Sequence, residues 1–239
     1  MNDKLATIRK VLALAEGGAT EGEREAALAK AQRLMTAYGI DQAMIDAAAP
    51  AGKRELVEHT DMLRDEKRSM MVKAKRELIF GMAPLFNCSA LRINDRAYMR
   101  VFGHTTDLEL FQLMYNSIMV QLITGVEAAK RDRDVSGTTG VVNYAHAYVR
   151  RVVGRLRAAR DTTTVEANNA RPGTDLVLAD RTAIVDARIA TIYPKIRTIG
   201  SGNAARFDPT AYARGGLDGS RADLGQSRVT NGNAPRQLG

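Results

Sequence analysis

Apolar positions along the first forty residues fall on two short helical stripes. Leu5, Ile8, Leu12 and Ala15 recur at the spacing of one helix face, and Gly17-Gly18 interrupts them. Thr20 followed by Glu23 has the capping-box pattern, which predicts a new start. The second helix turns Ala27, Leu28, Ala31, Leu34, Met35 and Tyr38 inward and is predicted to stop at Gly39, with Ile40 covering its end. Asp41 then reads as the cap of a short helix carrying Met44 and Ile45. Ala47-Ala48-Ala49-Pro50-Ala51-Gly52 ends that helix and is the best candidate linker.

Beyond the linker, the pattern predicts a mixed-charge helix over residues 64–83. Met70, Met71, Ala74, Leu78 and Met82 lie on or near one face, Lys67, Arg68, Lys73, Lys75 and Arg76 make the outer surface, and Pro84 marks the exit. The period changes to two over residues 89–102. There Leu91 and Ile93, then Met99 and Val101, alternate around an Asn94-Asp95 turn, so a β-hairpin is expected. Arg92, Tyr98, Arg100 and Phe102 are assigned to its other face, and Gly103 is read as its end.

Thr106-Asp107-Leu108-Glu109 repeats the capping-box pattern ahead of a long helix. Leu110, Leu113, Met114, Ile118, Val120, Leu122, Ile123 and Val126 give that helix the apolar surface of a central core element, and it frays into Lys130 to Asp134. Ser136 to Gly140 is read as a connecting loop, without the GK[ST] ending of a phosphate-binding loop. Residues 143–160 form the most basic helix. Tyr144, Tyr148, Val152 and Leu156 share a face, Arg150 and Arg157 lie on one flank, Arg151 and Arg155 on the other, and Arg160 follows.

Ala170-Arg171-Pro172-Gly173 breaks the helix, and Thr174 or Asp175 opens another that ends before Pro194. Asp208-Pro209 reads as an N-cap with proline at the first helical position, yet Gly215, Gly216 and Gly219 follow. Three helical glycines each cost on the order of 1 kcal/mol, so a frayed or loop-like terminus is the simpler expectation, and close approach to another backbone or to a ligand the alternative. The organisation expected is a helical-hairpin module at 1–49, a basic α+β domain at 55–230 and a flexible tail at 231–239. The fold class is α+β, mostly helical.

Composition narrows the class. The chain has 239 residues, 45% apolar content, a formal charge of +8 and a single cysteine, Cys88. One cysteine excludes an internal disulfide framework and multi-cysteine zinc modules, and suits a reducing compartment, so cytoplasm is expected. No segment approaches the roughly 18 apolar residues of a membrane span. Residues 1–60 are close to neutral, whereas 61–100, 143–194 and 195–239 each carry a basic excess. An excess of that kind favours an anionic partner, since Lys and Arg contacts to phosphates release counterions.

The run Ile8 to Ala15, the run Ala26 to Met35 and the ending Tyr38-Gly39-Ile40 resemble an uncharacterised bacterial and bacteriophage family known as domain of unknown function 2786. A looser likeness to the companion region of such proteins rests on Phe86-Asn87-Cys88, Phe102-Gly103 and the Tyr212/Gly215/Gly219 segment. The resemblance implies a phage-related origin and brings no catalytic residues.

Candidate chemistry is sparse. His59, His104 and His146 stand far apart, and neither an HExxH nor a CxxC spacing occurs, so neither a metal nor a cofactor is expected. The first functional expectation is a non-enzymatic, phage-type accessory protein that binds DNA or RNA through phosphate contacts from Arg150, Arg151, Arg155 and Arg157, with Arg92 and Arg100 on the strand pair. The second is an adaptor whose residues 1–40 dock on a host or virion protein. A third, hydrolase-like reading requires Cys88, His104 and Asp107 to converge as nucleophile, base and orienting acid.

Overall fold

The computed structural model describes residues 6–8, 10–11, 21–64, 69–93, 98–196, 207–222 and 224, with the backbone alone for 21–33 and 51. The Gly17-Gly18 break, the Thr20 cap, Lys67, Arg68, the Asn94-Asp95 turn and the 231–239 tail lie outside these residues. The architecture is mostly helical α+β: α1 (Glu21–Ala48), β1 (Val57–Met62), α2 (Val72–Met82), β2 (Ser89–Arg92), β3 (Met99–His104), α3 (Thr105–Arg131), α4 (Gly137–Ala170), α5 (Thr174–Ile192) and α6 (Pro209–Arg221).

Gly39 does not stop the helix it was expected to end. Helix α1 continues to Ala48, because Ile40 and Ala43 are buried against Leu178 of α5 and that burial outweighs the local stop signal. Asp41 lies within α1 rather than opening a helix, and accepts from Arg171 Nη1 at 3.0 Å. The helix expected over 64–83 is shorter, since Leu63 takes a positive φ of 61° after β1 and regular helix begins only at Val72. Lys75, expected outside, is buried beside Ala74, Leu78, Ile79 and Met82.

The sheet has the order β1-β3-β2, all antiparallel, and β1 was not read in the sequence. Its register differs from the expected one. Leu91 stands opposite Arg100 and Arg92 opposite Met99, so Leu91 shares a face with Arg100 and Phe102, while Arg92 shares the other with Met99 and Val101. A one-residue change of phase moves every side chain to the other face, and the hydrophobic demands of both faces set it here. Phe102, Val185 and Ile189 bury one face under α5, and Met99 and Val101 join the main core on the other. Gly103 sits within β3 rather than ending it. A Cβ there would lie 2.5 Å from Cys88 Sγ.

Helix α3 crosses the middle of the core with Phe111, Ile118, Leu122 and Val126 buried. Val120 and Ile123, expected inside, are exposed, because they fall off the inward stripe. The capping box at its start is not formed: His104 is the N-cap without a side-chain cap bond, and the Thr106 hydroxyl donates to Glu55 instead. Helix α4 begins at Gly137, so the expected 136–140 loop is its first turn, with Ser136 as N-cap.

Helix α6 is the clearest case of tertiary structure overriding propensity. Asp208 accepts from the Ala211 N–H as a cap with Pro209 behind it, as expected, and the glycine-containing segment is fully helical rather than frayed. A Cβ on Gly215 would lie 2.2 Å from the Tyr144 carbonyl oxygen, and one on Gly219 would lie 2.8 Å from that of Tyr148. Three helical glycines cost about 3 kcal/mol together. Burying one ring the size of tyrosine, about 150–250 Å², returns about 4–6 kcal/mol, and α6 forms one wall over both Tyr144 and Tyr148.

Candidate nucleic-acid interface

Helices α2 and α4 lie side by side in the same direction. Gly81 makes this possible, since a Cβ there would lie 2.7 Å from Val153 Cγ1. One turn earlier Glu77 Oε2 meets His146 Nδ1 at 2.5 Å. With 100° per residue, Arg150 and Arg157, three residues before and four after Val153, lie about 60° and 40° round α4 from its contact with α2, on the solvent side of that contact. The matching side of α2 carries Lys73 and Phe80. All four are exposed, Phe80 by 46%. Arg150 and Arg157 are two turns apart, about 10.5 Å along the axis.

The positive surface extends toward β2. Burial lowers the Arg76 pKa, and the like charge of Arg92 lowers it further, so the two guanidiniums are close enough to repel. Of the sequence-predicted contacts, then, Arg150 and Arg157 are exposed on α4, and Arg92, half-buried on β2, forms a basic cluster with Arg76. Arg100 does not join it. On the opposite sheet face it donates to Asp61 through Nε at 2.7 Å and Nη2 at 3.0 Å, to Tyr193 at 2.9 Å and to Tyr98 at 2.6 Å. The Asp61 hydrogen bond leads in raising its pKa. Arg151 donates to Ser220 Oγ at 2.7 Å, and Arg155 donates to the carbonyls of Gly219, at 3.0 Å, and Ala222. Both therefore hold the end of α6, where carbonyls lack helical partners. Arg160 turns inward to the Leu85 carbonyl and to Asn87 Oδ1. Phe80 was missed as a surface feature. The signal available was a phenylalanine off the Ala74-Leu78-Met82 stripe.

Cys88, His104 and Asp107 lie in one buried neighbourhood, but their chemistry is the reverse of a nucleophilic triad. Burial and the Asp107 charge push the Cys88 thiol up, and its Sγ donates to the Phe86 carbonyl at 3.2 Å. Burial and the Arg181 charge bring His104 down to about 4, and its Nδ1, 3.9 Å from Asp107 Oδ2, has no hydrogen-bond partner among the described residues. Asp107 orients Arg181 instead, 2.6 Å from Nε, and is pushed up to about 6 by burial. Sequence reasoning missed Arg181, which is 2% exposed and also donates to Asp46 at 2.9 Å and to Glu55. Burial opposes its charge, and the carboxylates around it outweigh that opposition. Asn87, at a left-handed φ of 51°, extends the network by donating to Asp107 at 3.4 Å. Among the described residues no group of His, Cys, Asp and Glu is placed to hold a metal ion, and no helix is long and apolar enough to cross a membrane.

The amino-terminal part of this core has a recognisable sequence, for Ile8, Val11, Met35 and Tyr38 are all buried in the main cluster. Residues 4–42 match the family described as Protein of unknown function (DUF2786). No curated protein and no solved structure matches the chain. Within the DUF2786 match, the large apolar side chains that the structure describes as buried also include Ile40. The α2/α4 surface lies outside the DUF2786 match, as does the Arg181 network from Asp46 onward.

Proposed function

We propose that this is a non-enzymatic nucleic-acid-binding accessory protein that grips phosphates through the outer face of α2 and α4. The observation that carries the reading is the pair Arg150 and Arg157. Both are exposed on one side of a rigid helix, about 10.5 Å apart, and neither makes an ion pair or side-chain hydrogen bond among the described residues. Lys73 on α2 adds a third cation. Glu77, also on α2, is engaged by His146. Contacts of this kind position a backbone and carry no base specificity. We place this role in the cytoplasm, the compartment that suits a single cysteine, in a protein of phage-derived origin.

The test is a titration of the purified, nuclease-treated protein against labelled DNA and RNA over a range of salt. Affinity is expected to fall linearly in log–log form. Replacing Arg150 and Arg157 by glutamine removes two contacts and flattens the slope by about 0.9 per contact on duplex DNA, or about 0.7 on a single strand. An unchanged slope in that double variant, or no binding at low salt, would refute the proposal.

A further inference from the structure

A lone exposed phenylalanine is ordinary on a protein surface, and its meaning comes from what surrounds it. Phe80 adjoins Gly81, the point where α2 touches Val153 of α4. On α4, Arg150 stands one turn before that contact and Arg157 one turn after it. Between those arginines on α4 stands Gly154, exposed, with no atom within 4 Å of the Cβ it lacks. The exposed face of the helix pair thus carries an aromatic ring on α2 and, on α4, two guanidiniums with a glycine between them. Lys73 lies two turns upstream of Phe80 on the same side of α2.

Resting on the phosphate-contact reading above, we propose that Phe80 is a stacking platform and that the ligand is single-stranded nucleic acid. An unpaired base has an open π-face that the Phe80 ring can cover, while the neighbouring arginines take the flanking phosphates. A duplex offers no such face, because its bases are already stacked on one another. The gap at Gly154 leaves room for the base to lie flat. Sequence preference should be weak, since every base presents a π-face.

The full-length protein is titrated with oligothymidylate and with duplex DNA of equal length at low salt. Phe80→Ala should weaken oligothymidylate binding about tenfold and leave duplex binding unchanged. Its far-ultraviolet dichroism and melting temperature should match the parent, because the side chain is half exposed. The chain contains no tryptophan, so Phe80→Trp introduces a single indole at the platform. Its emission should be quenched as oligothymidylate saturates the protein, and its affinity should equal or exceed that of the parent. Equal loss of duplex and single-strand binding in Phe80→Ala, or unchanged indole emission at saturation, would overturn the stacking assignment alone. Absence of binding to either nucleic acid would overturn the phosphate-contact reading and this inference together.

Discussion

Asp107 accepts a 2.6 Å hydrogen bond from Arg181 Nε inside the protein, across 74 residues of chain. The same guanidinium reaches Asp46 and Glu55, so one buried cation holds α1, the segment before β1, the start of α3 and α5 together. Removing one partner of a buried ion pair leaves the others uncompensated, which costs about 3–5 kcal/mol. Arg181→Met is therefore expected to lose stability of that order in urea denaturation. Lysine at this position cannot make the three-way fork and should rescue only part of the loss. A loss below about 1 kcal/mol would show that the cluster contributes little to stability.

His104 and Asp107 respond to acid in opposite directions. The folded pKa of Asp107, about 6, lies above the ordinary carboxylate range. Its contribution is full below that ordinary value and lost as pH rises through 6. The folded pKa of His104, about 4, lies below the ordinary imidazole value. Its contribution is present above about 6.5 and lost as pH falls toward 4. Between about pH 7 and pH 5 the two partly cancel. Relative to the parent, Asp107→Asn should lose stability more steeply on acidification, and His104→Gln should lose it less steeply or gain it. Parallel pH profiles for all three proteins would contradict this assignment.

The glycines of α6 divide into two kinds. Gly215→Ala and Gly219→Ala drive a methyl into the carbonyls of Tyr144 and Tyr148 and should destabilise by about 1–3 kcal/mol or more. Gly216→Ala meets nothing within 4 Å and should stabilise by about 0.5–1 kcal/mol, the ordinary helix-propensity gain. Thermal melts of the three variants check the contrast, and similar shifts in all three would exclude close packing of α6 on α4.

Gly81→Ala tests whether the α2/α4 surface acts as a unit. The new methyl would press on Val153 from 2.7 Å and move the helices apart, separating Phe80 and Lys73 from Arg150 and Arg157. Single-strand affinity should fall even though no proposed contact residue has changed. Dichroism that stays native while affinity drops is the expected pair of readings.

Local signals carried most of the helical outline. The face formed by Tyr144, Tyr148, Val152 and Leu156, the break at Ala170 to Gly173 and the Asp208-Pro209 cap are all present, because each depends on neighbours in sequence. What escaped depends on distant partners. Gly39 is a stop signal by itself but a mid-helix residue once Ile40 has Leu178 to pack on. Arg151 and Arg155 read as surface charges until α6 arrives beside them. Arg181 sits in a run with no distinguishing pattern, and only the fold brings it to Asp46, Glu55 and Asp107. Likewise the phase of β2 against β3 follows from which core each face meets, information absent from the hairpin alone.

The span of the Arg181 contacts also orders events during synthesis. Asp46 and Glu55 precede their counter-charge by 135 and 126 residues. While the chain emerges from a ribosome, these acids and Asp107 are translated long before the guanidinium that unites them. A nascent chain ending within α4 holds three carboxylates without the guanidinium they share in the folded protein. The amino-terminal half thus reaches its final packing only after α5 has been made, which couples the DUF2786-matching segment to the later part of the protein.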